Sequence, residues 1–157
     1  MMAAEISDKK LQFQAVDELL ARWLKERRRL LAKYTEFAIA REGELSASTL
    51  ESTQQDLCQQ LVDYISAGHF EVYHQLVNEA ENFEDGGCAL AGQLMPSIVD
   101  TTEVILAYEE KYSQNSHKGA DLKRDLSSLG EMLESRFVLE DQLIAGLHGR
   151  HRRQMET

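Results

Sequence analysis

The sequence predicts an all-α protein: a four-helix bundle with up-down-up-down connections. Three observations carry this. The 157 residues include one Pro and nine Gly, too few turn formers for a strand-and-turn fold. Four long segments repeat apolar residues at spacings of three and four. The breaks between them are short and polar, as expected between antiparallel helical neighbours. At this length one domain, 1–157, is the default, with an ordered bundle over about 10–148 and a basic tail over 149–157.

The first helix is expected from about Lys10 to Phe37, where Val16, Leu20, Trp23, Leu30, Tyr34 and Phe37 share one face. Arg41 to Ser48 reads as a connection, with Ser46 or Ser48 as the N-cap of the next helix. In that second helix Leu57, Cys58, Leu61, Val62, Tyr64 and Ile65 fall in one arc. A kink or short break is expected at Ala67-Gly68-His69, then more helix to about Phe83 and a stop at Asp85-Gly86-Gly87. The third helix, about Ala89 to Tyr112, turns Leu90, Leu94, Thr101, Ile105, Tyr108 and Tyr112 to one side. Pro96 inside it should bend or restart it. A polar loop from Ser113 to Gly119 precedes the fourth helix, about Asp121 to Leu147, whose stripe is Leu122, Leu126, Leu129, Leu133, Phe137, Ile144 and Leu147. His148-Gly-Arg-His-Arg-Arg reads as a frayed, solvated basic tail.

Charge narrows the function. The chain carries −10, yet all 17 Lys and Arg lie outside a 69-residue run from Glu42 to Glu110 that holds 14 acidic residues. A surface of one sign selects partners of the other and argues against non-specific binding to nucleic acid or anionic membrane. No apolar run approaches the ~20 residues of a membrane helix, and Met1 to Gln14 has no basic-then-apolar export signal. Cys58 and Cys88 form no CxxC pair and read as reduced thiols of a cytoplasmic protein. Arg22, Lys25, Arg28, Arg29 and Lys33 read as the solvated side of the first helix, pairing with Glu26, Glu36 or an acidic neighbour.

Some polar groups sit where the stripes demand apolar ones. Arg27 lies between Trp23 and Leu30, and Glu140 falls near the middle of the fourth stripe with Arg136 beside it. Unpaired buried charge is very costly, so these groups form either an ion-pair network that fixes helix register or the wall of a polar pocket. A di-iron bundle needs two Glu-x-x-His motifs, and this chain has one, Glu71 and His74. The cysteines lack zinc spacing, and His69, His117, His148 and His151 supply no second motif, so no metal or cofactor is assigned. There is no Gly-x-Ser-x-Gly and no phosphate-cradling Gly-rich loop, so no catalytic residue is assigned and the chain is not read as an enzyme.

Opposite its core arc, the second helix shows Asp56, Gln59, Asp63, Ser66 and Ala67, joined by Phe70 and His74 if the helix continues past Gly68. Asp63 and Phe70 are two turns apart and share a side. Small residues beside a carboxylate and an aromatic suit the docking of another helix. The alternative is a solvated face with Phe70 turned into the core.

Three blocks resemble the regulator-of-sigma-D family, the Rsd and AlgQ anti-sigma factors of gammaproteobacteria. They are Arg22-Trp23-Leu24 with Arg27, Leu30-Leu31 and Tyr34; Leu61 to Phe70, extending to Tyr73; and Gly130-Glu131, Leu133-Glu134, Arg136 to Asp141 and Leu143-Ile144. The resemblance implies an all-helical bundle that binds the C-terminal region of the primary sigma factor, a basic helix-turn-helix domain reading the promoter −35 element. It implies sequestration of that factor from core RNA polymerase and promoter in stationary phase. For some members it implies binding of the phosphocarrier protein HPr, and in pseudomonads a link to alginate and virulence regulation. Carried onto this chain, the partner-binding residues are Asp63, Tyr64, Ser66 and Phe70. Asp63 would meet a base and Phe70 an apolar surface, while Trp23, Arg27, Arg136 and Glu140 would be structural. The alternative function is a signalling adaptor for an HPr-like phosphocarrier or a stress enzyme.

Overall fold

A computed structural model describes residues 2–43, 46–114 and 120–156, with side chains described from 7 to 155 within those ranges. Every regular element among them is helical. α1 spans Met2–Glu42 and is 41 residues long, roughly 60 Å at 1.5 Å per residue. It contains neither Gly nor Pro, so nothing interrupts it before Gly43, and it starts earlier than its apolar periodicity indicates.

Ser46 caps α2 (Ala47–Ala67), its hydroxyl oxygen accepting from the Thr49 amide at 3.3 Å. A π-helical turn, Gly68–Val72, then joins α2 to α3 (Tyr73–Phe83) without breaking the rod. α3 stops at Glu84, which takes a left-handed conformation (φ 51°, ψ 44°) and returns its amide to the Ala80 carbonyl. α4 follows as Gly87–Tyr112 and α5 as Leu122–Leu143. Positions 44–45 of the first connection, and 115–119 of the polar loop with His117, lie outside the described residues.

The four rods (α1, α2–α3, α4, α5) run antiparallel to their neighbours. Glu26 meets Gln60 and Gln12 meets Asn82, so α1 opposes α2–α3. Tyr108 reaches Gln54, opposing α4 to α2. Arg136 reaches Thr102 and Tyr112 reaches Asp125, opposing α5 to α4. Between them lies one core in which Leu30, Phe37, Leu57, Leu61, Leu76, Ile105 and Leu143 are completely covered. Each such side chain stabilises the fold by about 1.5–3 kcal/mol.

One of the two outcomes expected at Pro96 is absent, and the expectation at the C-terminus needs correction. Pro96 does not restart α4. Pro96 and Gly92, the residue four before it, both face solvent, so water can take the carbonyl that the proline leaves unbonded. Nor is the C-terminus a frayed tail, although Arg150, Arg152 and Arg153 do face solvent. Beyond α5 the chain makes a second π-turn (Ile144–His148), a 3-10 turn (Gly149–His151) and a short helix α6 (Arg152–Glu156). His148 and His151 are buried, because fixed carboxylates on α1, on α3 and just after α3 hold them.

Candidate partner-docking surface and its buried support

α2 presents its polar edge to solvent. Asp63 is exposed and accepts from Gln59 Nε2 at 2.9 Å. Ser66 and Ala67, one turn on, are half-buried. Phe70 sits within the π-turn and is 77% exposed, the most exposed of the large apolar side chains described. Its ring contacts the edge of His69 at 5.0 Å, while Val72 and Tyr73 beside it are buried. On the α1 side a groove of about 160 Å³ is floored by Leu19, Trp23, Ala67 and Val72 and edged by Arg22, Glu26 and Glu71. Glu71 and His74, the lone Glu-x-x-His pair, both face solvent.

Tyr64 is not on this face. It is 0% exposed, because it lies one turn beyond Leu61 on the core arc and points inward. Its proximity to Asp63 in sequence is no proximity at the surface, since adjacent helical positions diverge by about 100°. Its ring stacks on Trp23 (centroids 4.9 Å apart, planes within 8°), whose indole N–H donates to the Tyr64 carbonyl at 3.4 Å.

The hydroxyl of Tyr64 enters a buried network centred on Glu140. Tyr64 donates to Glu140 Oε1 at 2.6 Å, and Tyr73 donates to Oε2 at 2.5 Å. Arg136, one turn before Glu140 and fully buried, donates through Nε to Oε2 at 3.1 Å. It also donates to the Tyr73 hydroxyl, to Thr101 and Thr102, and to the Ile98 carbonyl. Arg27 closes the network from α1, donating to Glu140 at 3.2 Å, Asp141 at 2.7 Å and the Tyr64 hydroxyl at 3.1 Å. Its guanidinium lies over the Phe137 ring at 4.7 Å. Arg27, Arg136 and Glu140 therefore form a closed ion-pair and hydrogen-bond network that ties all four rods together.

Burial alone would push the Arg27 pKa down, but Tyr64, Asp141 and Glu140 outweigh it and raise it. Burial and the neighbouring Glu140 charge push both phenols up, so Tyr64 and Tyr73 act as neutral donors. Burial likewise pushes the Cys58 thiol up to about 12, with Glu109 adding to it, which makes it inert, whereas Cys88 is exposed.

A second buried cluster, which the sequence reading missed, anchors the C-terminus. Glu79 on α3 is fully buried between two imidazoles, with His148 Nδ1 at 2.9 Å and His151 Nδ1 at 2.6 Å. The opposite ring nitrogens meet Asp17 at 3.0 Å and Asp85 at 2.6 Å. Phe13 stacks on His148 and Phe83 on His151. Arg152 and Arg150 then bind Asp17 and Asp85 from outside. Among the described residues no group of three or more His, Cys, Asp or Glu side chains is arranged to hold a metal ion, and no helix is long and apolar enough to cross a membrane.

Comparison with known proteins agrees with the three sequence blocks. Residues 2–148 match the family model described as regulator of RNA polymerase sigma(70) subunit, Rsd/AlgQ. The regulator of sigma D of Yersinia pseudotuberculosis serotype O:1b is 33% identical over 132 residues, covering 82% of this chain and 78% of that protein. Its counterpart in Shigella boydii serotype 4 is 36% identical over 132 residues, covering 82% of each. No solved structure matches the chain. With the family model spanning nearly its whole length and relatives of this identity, the chain belongs to the Rsd/AlgQ family of sigma(70) regulators.

Proposed function

We propose that this protein is a cytoplasmic anti-sigma factor that works by stoichiometric capture. The face of Asp63, Ser66 and Phe70 docks the C-terminal, −35-reading region of the primary sigma factor. Capture withholds that factor from core RNA polymerase and promoter DNA in stationary-phase cells. Tyr64, buried, serves the face from beneath rather than by contact.

The observation that carries the reading is Phe70, held 77% exposed within a stretch of chain, 42–110, that carries no Lys or Arg. Leaving an aromatic of this size in water is unfavourable for a free monomer and suits a hot-spot anchor. Asp63 beside it complements a basic DNA-binding partner, and opposite charge speeds encounter more than it sets final affinity.

The test is binding of the purified chain to the isolated C-terminal sigma domain across salt concentrations. Phe70→Ala should cost about 2 kcal/mol, roughly 30-fold in Kd. Asp63→Ala should weaken binding and flatten its salt dependence. Wild-type protein that fails to bind even at low salt would refute the proposal. An affinity independent of salt and untouched by Asp63→Ala would refute the electrostatic part alone.

A further inference from the structure

Tyr64 and Tyr73 are nine positions apart, yet both hydroxyls reach the two oxygens of one carboxylate, Glu140. In an unbroken α-helix nine steps of about 100° leave two side chains on opposite sides. The π-turn resolves this. Its wider turn absorbs one residue, so the two tyrosines are offset as if about eight steps apart, within reach of a common partner. His69, Phe70 and Glu71, inside the turn, face solvent, while Val72 and Tyr73 after them are buried. Gly68 opens the turn against Trp23 and Tyr73, where a Cβ would meet the indole at 3.0 Å and the Tyr73 hydroxyl at 3.3 Å. A carboxylate on the last rod thus grips both ends of the turn that displays Phe70.

We propose that Glu140 is a positioning residue for partner docking. By holding Tyr64 and Tyr73 it fixes the winding of the π-turn, so that Phe70 is held in one position on the face it shares with Asp63. This rests on the reading that the Asp63–Phe70 face docks a sigma domain. Arg136 and Arg27 hold Glu140 in turn, so the grip is transmitted from α4 and α1 as well. With the grip released, the turn can exchange between π and regular α winding, turning α3 by about 100° relative to α2, and Phe70 is no longer held in one position on the face.

The experiment uses the full chain with Tyr73→Phe, which deletes one hydroxyl and keeps the ring packed on Trp23, and Glu140→Gln, which keeps the shape of the clasp. Amide hydrogen exchange in the free proteins is read over 68–73. Affinity for the isolated sigma domain is measured with Phe70 intact and in a Phe70→Ala background. Exchange over 68–73 should accelerate on the order of tenfold in Tyr73→Phe, the weight of a hydrogen bond to a charged group. Affinity should fall by a similar factor with Phe70 present and not fall further when Phe70 is already alanine. Glu140→Gln should repeat the pattern, and the double variant should add little to either.

Unchanged exchange over 68–73 would overturn the proposal, as would an affinity loss equally large in the Phe70→Ala background. If wild-type protein binds no sigma domain while Tyr73→Phe still accelerates exchange over 68–73, the docking reading falls and the grip on the turn stands. If wild type binds and exchange does not change, the grip falls and the docking reading stands.

Discussion

Replacing Glu79 by glutamine should detach the C-terminal segment and lower stability in a pH-dependent way. Glu79 is fully buried and its only side-chain partners among the described residues are His148 and His151. Each imidazole has a carboxylate oxygen at both ring nitrogens, and for His148 two donated N–H bonds satisfy both. Glutamine keeps the volume but removes the charge between the two rings. Removing one partner of a buried ion pair costs about 3–5 kcal/mol. For a chain of this size each kcal/mol moves Tm by about 2–4 °C, so the midpoint should fall by roughly 6–20 °C.

The sign of the pH dependence follows from the neighbours. Burial by itself pushes the His148 pKa down, but hydrogen bonds and charge from Glu79 and Asp17 outweigh it and raise the pKa above its ordinary 6.5. Its stabilisation is therefore complete below the ordinary value and is lost as pH rises through the raised one. Asp17 is held below its ordinary 3.8, first by the bond from His148, against the opposing effect of burial, and then by Arg152. Its share is present above that value and lost as pH falls through the lowered one.

Thermal unfolding of wild type and Glu79→Gln by circular dichroism should thus show a wide gap below the ordinary histidine value that narrows as the pH is raised through the elevated one. Trypsin should also cut the variant faster at Arg150 to Arg153. Equal midpoints at the lower pH, or a gap that does not narrow, would refute the imidazolium account.

Two further outcomes test the packing. A Cβ on Gly130 would overlap the Tyr34 hydroxyl, which donates to the Leu126 carbonyl at 2.8 Å. Gly130→Ala should cost about 1–3 kcal/mol by urea unfolding, and less in a Tyr34→Phe background, where the clashing atom is absent. Glu84 holds a left-handed conformation that costs an L-residue roughly 1–2 kcal/mol, so Glu84→Gly should stabilise by about 0.5–1 kcal/mol after the glycine's entropy is counted, and Glu84→Val should destabilise.

What could be read locally depended on periodicity. Val16, Leu20, Trp23, Leu30 and Phe37 lie on one stripe, as do Leu122, Leu126, Leu129 and Leu133, and all are buried in the structure. Helix period and burial are properties of neighbours three and four positions apart, so a single chain displays them. The same periodicity exposed Arg27, Arg136 and Glu140 as misfits in apolar stripes. It could not name their partners, because Arg27 meets Glu140 113 positions away and Arg136 meets Tyr73 63 positions away. The basic C-terminus looked solvated for the same reason. His148 and His151 find Glu79 across 69 and 72 positions, and nothing near them in sequence announces a buried carboxylate.

Gly68 marked an irregularity, but glycine only permits one. The choice of a π-turn goes with the need for Tyr64 and Tyr73 to share Glu140, a requirement set by a different rod. The chain by itself determined the four helices, their apolar faces and the family. The tertiary structure decided which charges pair, gave the inward-facing Tyr64 its partner Glu140, and turned Phe70 to solvent, because each of these outcomes depends on groups that only folding brings within a few ångströms of one another.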